Sequence, residues 1–462
     1  MKKEFLNKYI ISIIFFLIPF CCCLFYLYIY NPGILSYDSY NQINQIHTMT
    51  FNNWHPFFHT FIELICFKIW DNPMSVCIFQ IVIISIIWTE ICSYFYKKNE
   101  KIIYFIIPFS IILFLVIPLN AIYSITLWKD ILFSYCLLYL TFLTYVIIRE
   151  ENINKYILIK IAMITSFIWK LRPNGKFSML IFTIVFLVYL LKKKVNFKLI
   201  RYYFATLLIF LIFISSLNFI FKVENIEKDA LSTKAAHYFV FCEKNNLLTN
   251  HEKDVINKLV DLKKGKKVYN VYYSDPIYTI TNEKVFKKNK KEYITIILKK
   301  ALKNPIKTIE YYVNSSSLVW KIIKNDKWIG DVYYTDINSV NNVEHFEAKN
   351  INKKRYTVLN KYVNSFKENK VARLFYSPAL FMYVTIILVA IMLLKKNNKS
   401  ILMTVVPNFL NIFIVSLSIP VQDVRYLYSN VLIGYFIIIL FIEWSLNKYE
   451  KIKKINKKNR TN

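Results

Sequence analysis

The sequence predicts an all-α polytopic membrane protein with about ten transmembrane helices and a mostly helical extracytoplasmic domain. Of the 462 residues, 56% are hydrophobic and 18% are aromatic. The apolar residues form runs of about 20, which is the helical length needed to cross a hydrocarbon core of roughly 30 Å. A membrane strand would alternate apolar and polar residues, and these runs do not.

The positions of the apolar runs give the predicted helices in order. The predicted spans cover residues 9–30, 73–96, 102–119, 130–148, 156–170, 177–191, 202–221, 374–394, 401–420 and 427–446.

The charge pattern predicts the orientation of these spans. The formal net charge is +31, and Lys and Arg crowd the N-terminus, alternate connecting turns and the C-terminal tail. Short loops rich in Lys and Arg stay in the cytoplasm, so we expect both termini there, next to anionic lipid and not nucleic acid. The Lys/Asn/Ile-rich, Gly-poor composition is typical of an AT-rich bacterial genome, which favours a bacterial plasma membrane.

Alternation of the spans divides the chain into four segments. We predict an N-terminal transmembrane module (1–221) whose first outer loop is 31–72, an extracytoplasmic, mostly helical domain (222–373), C-terminal transmembrane helices (374–446) and a basic cytoplasmic tail (447–462).

Asp38 is the first carboxylate of the predicted first outer loop. Apolar residues at helical spacing predict an amphipathic helix over 39–49 on the membrane surface, with Asp38 at its start. One interpretation makes Asp38 the N-cap of this helix. The other makes it a catalytic base held at the bilayer rim.

Two histidines follow in the same loop. Pro56 suits the first turn of a second loop helix that runs to about Trp70. His55 would precede this helix and return to the neighbourhood of Asp38, which favours a substrate-binding role. His59, one turn later, fits an interfacial aromatic cluster better.

Three further outer turns carry cations next to polar partners. Lys129–Asp130 starts the fourth predicted span, Arg172 and Asn174 join the fifth and sixth, and Arg425–Tyr426 join the ninth and tenth. Since cations are depleted on the outer side, those that remain call for a reason. Convergent cations near a carboxylate suit a phosphate leaving group opposite a base.

Together these residues resemble the membrane glycosyltransferases of the GT-C fold, such as protein mannosyltransferases and the lipid A aminoarabinose transferase. The resemblance is closest to an uncharacterised bacterial branch. The matching motifs are Pro32-Gly33 with Ser36-Tyr37-Asp38-Ser39, Trp54-His55-Pro56, Leu127-Trp128-Lys129-Asp130, Arg172-Pro173-Asn174-Gly175 and Arg425-Tyr426.

The resemblance implies that a sugar moves from a polyprenyl-phosphate donor to an extracytoplasmic acceptor, which is a protein, a lipid or a wall polymer. It implies that Asp38 is catalytic and that Lys129, Arg172 and Arg425 hold the donor phosphate. His55, Asp130, Asn174 and Tyr426 would contact substrate. Many members have two adjacent acidic residues where Asp38 is followed by Ser39, so the metal stays unknown and a divalent cation stays open.

Other interpretations compete with this one. A transporter or lipid flippase would use the polar middle of the ninth span, at Pro407, Asn408 and Asn411. A surface-polysaccharide polymerase or ligase would place its catalytic centre in segment 222–373. A non-enzymatic scaffold would use the outer polar clusters as rim decoration only.

Overall fold

The computed structural model describes residues 2–150, 153–226, 230–324, 326–328, 330, 332–335, 353–396 and 399–461. It is 80% helix, and the described residues contain no strand longer than an isolated bridge. The α-helices are α1 Lys2–Ile29, α2 Tyr37–Thr48, α3 Phe57–Ile69, α4 Pro73–Lys98, α5 Ile103–Ile111, α6 Pro118–Ser124, α7 Lys129–Arg149, α8 Lys155–Leu171, α9 Pro173–Lys192, α10 Phe197–Ile220, α11 Ala230–Lys244, α12 Asn250–Asn257, α13 Leu262–Val268, α14 Asp275–Tyr278, α15 Glu283–Lys288, α16 Lys290–Lys303, α17 Pro305–Ser315, α18 Ser317–Trp320, α19 Lys353–Glu368, α20 Pro378–Lys396, α21 Leu402–Ser418 and α22 Tyr428–Thr461.

Long apolar helices indicate a membrane protein. Within the described residues, six segments are long and apolar enough to cross a membrane: Lys8–Ile29, Pro73–Lys98, Lys129–Arg149, Pro173–Lys192, Phe197–Ile220 and Val424–Glu450. Shorter apolar helices cover Pro378–Leu394 and Leu402–Ser418, and α8 has 17 residues. Each predicted span therefore coincides with a helix, while the number of ten crossings stays a prediction.

The third predicted span is broken. A π-helical stretch, Ile112–Val116, is followed by α6, and the two halves are bent by 66°. Pro118 at the start of α6 has no backbone N–H to continue the helix, which accounts for the break. All seven residues of α6 are buried, so the freed backbone lies inside protein.

The chain forms two compact units. The first contains residues 1–224, 333–411 and 428–462. Its central helix is α7, which packs against α4, α8 and α22. In the apolar 18-residue stretch of α7, 89% of the residues are buried, whereas in that of α10 only 22% are. Helix α10 therefore presents most of its apolar surface outward, as a lipid-facing helix does.

The second unit contains residues 225–332 and 412–427. Helices α11 to α17 surround a core whose largest members are aromatic side chains, among them Phe239, Phe286, Tyr293 and Tyr311. Most of this unit falls within the predicted 222–373 segment and consists of short helices. The described residues 333–335 and 353–373 of that segment group with the first unit. The location of the unit outside the membrane stays a prediction.

Candidate functional site

The first loop begins with a capped helix. Ser36 occupies the N-cap of α2, and its backbone N–H donates to Ser39 Oγ at 3.1 Å. Asp38 lies in the first turn of the helix, so the interpretation of Asp38 as the N-cap is wrong. The amphipathic helix predicted over 39–49 is confirmed as a helix and starts two residues earlier. The partial positive charge at the N-terminus of α2 favours the carboxylate of Asp38.

The main chain before α2 runs beside the main chain before α7. Ile34 forms a parallel bridge with Thr126. The indole N–H of Trp128 donates to Ser36 Oγ at 2.7 Å. The Ser39 hydroxyl donates to the Leu127 carbonyl oxygen at 3.0 Å. These bonds place the first turn of α7 beside the first turn of α2.

Gly33 permits this close approach. Its φ is +120°, a conformation that residues with a Cβ rarely adopt. A Cβ at this position would also lie 2.6 Å from Cys77 Sγ and 3.0 Å from the Ile125 carbonyl oxygen. The glycine is therefore required for the geometry that brings the two segments together.

Asp38, His55 and Lys129 form one cluster, which we call the Asp38 cluster. Lys129 Nζ lies 3.9 Å from Asp38 Oδ2, and His55 Nε2 lies 4.0 Å from Asp38 Oδ1. Lys129 Nζ is 3.0 Å from His55 Nδ1. A lysine ammonium donates and cannot accept, so His55 accepts at Nδ1 and carries its proton on Nε2, facing the carboxylate. The Asp38 side chain is 25% exposed, which leaves it accessible.

The next residue of α7 forms a buried ion pair. Asp130 Oδ1 lies 2.7 Å from Arg172 Nη1, and their side chains are 2% and 9% exposed. The Arg172 guanidinium also stacks on Phe133, with 5.4 Å between the guanidinium carbon and the ring centroid. The pair holds the turn between α8 and α9 against α7. The predicted substrate residue Asp130 and the predicted phosphate residue Arg172 thus meet each other directly.

Asn174 takes part in packing between helices. Its side-chain amide donates to Asn411 Oδ1 at 2.8 Å. Asn411 in turn donates to Ser429 Oγ, and Ser429 donates to Asn408 Oδ1 at 3.2 Å. Hydrogen bonds between α9, α21 and α22 therefore account for the polar middle of the predicted ninth span, where a transporter would place its pathway.

Helix α3 begins within one residue of its predicted start at Pro56. Its buried side chains form a polar cluster with Gln42 of α2. The Gln42 amide donates to His59 Nδ1 at 2.9 Å and to Thr60 Oγ1 at 2.8 Å. Glu63 lies one turn after His59, with its carboxyl oxygen Oε2 3.6 Å from His59 Nδ1, and both side chains are 0% exposed.

Burial decides the protonation of this pair. It lowers the pKa of His59 to about 3, with a further lowering by Lys129, so the imidazole is neutral. Burial raises the pKa of Glu63 well above its usual range, which favours the protonated carboxyl group. Glu63 was not among the residues predicted from the sequence, although its spacing of four residues from His59 on a helix is a usable signal.

Arg425 and Tyr426 belong to the second unit. Arg425 Nε lies 3.1 Å from Asp423 Oδ2, its backbone N–H donates to Asp423 Oδ1 at 3.0 Å, and its guanidinium lies over the Tyr426 ring at 5.2 Å. These contacts order the turn before α22. The predicted meeting of Arg425 with Asp38 stays a prediction.

The chemistry available at the Asp38 cluster is that of a carboxylate facing a cation. Asp38 can accept a proton, and Lys129 can stabilise a developing anion beside it. In the part of the chain that the structure describes, no group of three or more His, Cys, Asp or Glu side chains could hold a metal ion. No family model, curated protein or solved structure matches the chain.

Proposed function

We propose that the protein is a membrane glycosyltransferase of the GT-C type in a bacterial plasma membrane. It transfers a sugar from a polyprenyl-phosphate donor to an acceptor on the extracytoplasmic side. The observation that carries the proposal is the meeting of Asp38 with Lys129, 3.9 Å apart, from helix starts that are about ninety residues apart in the sequence.

The proposed reaction is a single displacement. Asp38 takes the proton of an acceptor hydroxyl while that oxygen forms a bond to the anomeric carbon of the donor sugar. The bond from the anomeric carbon to the phosphate oxygen breaks, and its electron pair leaves with the polyprenyl phosphate. The configuration at the anomeric carbon inverts. The proton on Asp38 then passes to solvent, to which the side chain has access.

Lys129 serves the departing phosphate. An ammonium beside the base stabilises the negative charge that develops on the phosphate, and its stabilising effect grows as that charge grows. His55 accepts from Lys129 and therefore fixes the direction of the ammonium. Arg172 is a further phosphate ligand in this proposal, and it already contacts Asp130. A phosphate would add to that pair.

A lipid-linked donor fits the composition and the proposed orientation. Nucleotide sugars are cytoplasmic, whereas the positive-inside rule predicts that the Asp38 cluster lies on the other side of the membrane. The five glycines are Gly33, Gly175, Gly265, Gly330 and Gly434. Their spacing forms no Gly-rich phosphate loop of the kind that cradles a nucleotide.

The test is a transfer assay with purified protein in nanodiscs. The donors are short-chain polyprenyl phosphates carrying radiolabelled glucose, mannose or galactose, and the acceptors are cell-envelope fragments. Asp38→Asn should lower kcat about 100-fold or more, the usual range for loss of a general base. Asp71→Asn is the matched control, since Asp71 lies at the other end of the same loop and pairs with His47.

Two results would reject the proposal. The first is an Asp38→Asn protein that transfers sugar at the rate of the Asp71→Asn control. The second is a wild-type protein that uses none of the lipid-linked donors while it remains folded. Lys129→Gln should lower kcat more than it raises KM, since its interaction strengthens as the phosphate leaves.

A further inference from the structure

An apolar surface is exposed on the second unit. Leu298, Leu302, Ile306, Ile309 and Val313 follow one another at spacings of three or four residues along α16 and α17. Their exposed fractions are 57%, 82%, 80%, 62% and 42%. Leu298 and Leu302 share one side of α16, and Ile306, Ile309 and Val313 share one side of α17, which begins two residues after α16 ends. We call these five residues the apolar strip.

The opposite side of the same helices packs into the unit. Tyr293 and Ile296 of α16 and Tyr311 of α17 belong to the hydrophobic core. The buried Lys300 ammonium contacts Glu252 Oε2 at 2.5 Å and the Leu247 carbonyl oxygen at 2.8 Å. These core and polar contacts fix the orientation of both helices about their axes, so the apolar strip faces away from the core of the unit.

Lysines and an aromatic residue border the strip. Lys299, Lys303 and Lys307 are exposed on the same two helices, and Lys307 is 2.9 Å from Glu310. Trp320 in α18 is 38% exposed, and its indole N–H donates to the Val313 carbonyl oxygen at 2.8 Å. Apolar residues flanked by lysines and tryptophan are typical of helices that lie in a membrane interface.

A second apolar feature in the same unit favours a bilayer as the partner. The unit includes the last turns of the apolar helix α21, where Phe413 and Leu417 are 56% and 52% exposed. Exposed apolar side chains at this helix end are a second apolar surface of the kind that lipid covers. A surface for a second copy of the chain would instead be depleted of lysine.

We propose that the apolar strip inserts into the headgroup region of the bilayer and that Lys299 and Lys303 bind the phosphates of anionic lipids there. The strip thereby fixes the second unit on the membrane surface. The inference does not depend on the proposed glycosyltransferase activity, because it uses no residue of the Asp38 cluster.

The experiment uses the full-length protein in nanodiscs that contain a phospholipid with a photoreactive diazirine near its ester group. After illumination, mass spectrometry locates the lipid adducts. We expect adducts within residues 290–315, and their loss in a Leu302→Gln/Ile306→Gln variant. Both side chains are at least 80% exposed, so this variant should keep its melting temperature.

Val268→Gln is the matched control, since Val268 is an exposed apolar residue of α13 in the same unit, with 45% exposure. Its adduct pattern should equal that of the wild type. Lys299→Gln/Lys303→Gln should reduce the adducts in phosphatidylglycerol discs and leave them unchanged in pure phosphatidylcholine discs. Modification of the strip by a water-borne carbene reagent in place of lipid would overturn the proposal. So would cross-links between copies through the strip that increase with protein concentration.

Discussion

The buried pair of Asp130 and Arg172 gives a prediction that separates stability from donor binding. The two charges are 2.7 Å apart, and both side chains are more than nine-tenths buried. Removing one member takes this 2.7 Å contact from the other buried charge, which costs about 3–5 kcal/mol of folding free energy. Arg172→Gln and Asp130→Asn should each show this loss.

The double variant Asp130→Asn/Arg172→Gln is the informative measurement. It leaves a neutral amide pair of similar shape, so most of the stability lost in either single variant should return. Thermal unfolding of the purified protein in detergent measures this recovery. If Arg172 also holds the donor phosphate, the double variant should regain its melting temperature and still have a raised KM for the lipid-linked sugar.

Two outcomes would refute this reasoning. If Arg172→Gln alone melts at the wild-type temperature, the pair is not what holds the turn between α8 and α9. If the double variant regains both its stability and its donor KM, Arg172 acts through Asp130 as a positioning residue and does not touch the phosphate.

Two further predictions concern residues outside this pair. Trp128→Phe removes the N–H that joins α2 to the start of α7 and should lower the free energy of unfolding by about 1–3 kcal/mol. The control Trp88→Phe removes a similar buried hydrogen bond of 2.9 Å elsewhere in the first unit, so both melting temperatures should fall alike. Only Trp128→Phe should lower kcat, and equal kcat values in the two variants would contradict the role of Trp128. Burial and nearby Lys234 lower the pKa of His237 to about 3. As the pH falls, the histidine of the unfolded state therefore binds its proton at a higher pH than that of the folded state. The stability that is present above about pH 6.5 is lost as the pH falls, by about 2 kcal/mol at pH 5. Hydrogen exchange of α11 amides, corrected for intrinsic rates, should show this loss in the wild type and not in His237→Gln, and a wild type without pH dependence would contradict it.

Hydropathy predicted the helices well because a run of apolar residues identifies a membrane-length helix without reference to its neighbours. It did not predict the break in the third span. Pro118 was present as a signal, but whether a proline bends a helix or begins a new one depends on what surrounds the freed backbone. Here Asn120 Nδ2 donates to the Leu113 carbonyl oxygen at 2.9 Å, an interaction formed across the break itself.

The cations of the site were predicted because Lys and Arg are depleted on the predicted outer side. The convergence of cations on Asp38 was predicted as well, but which cation lies beside it could not be predicted this way. That Asp38 meets Lys129 depends on the bridge between Ile34 and Thr126, which charge and hydropathy do not encode. The N-cap of α2 could not be predicted from residue type, because aspartate and serine suit that position equally well. The helix begins at Tyr37, which makes Ser36 the N-cap and places Asp38 in the first turn.

The bent segment has a consequence for how the protein is made. Tyr428 at the start of α22 donates to Asn120 Oδ1 at 2.6 Å, lies 3.3 Å from the Tyr135 hydroxyl and packs edge-on against Tyr123. A ribosome delivers this tyrosine some three hundred residues after α6. Until then Asn120 of α6 lacks the hydrogen bond from the Tyr428 hydroxyl. The nascent chain therefore holds α6 without this hydrogen bond until translation is nearly complete, and a chain released before Tyr428 would never form it.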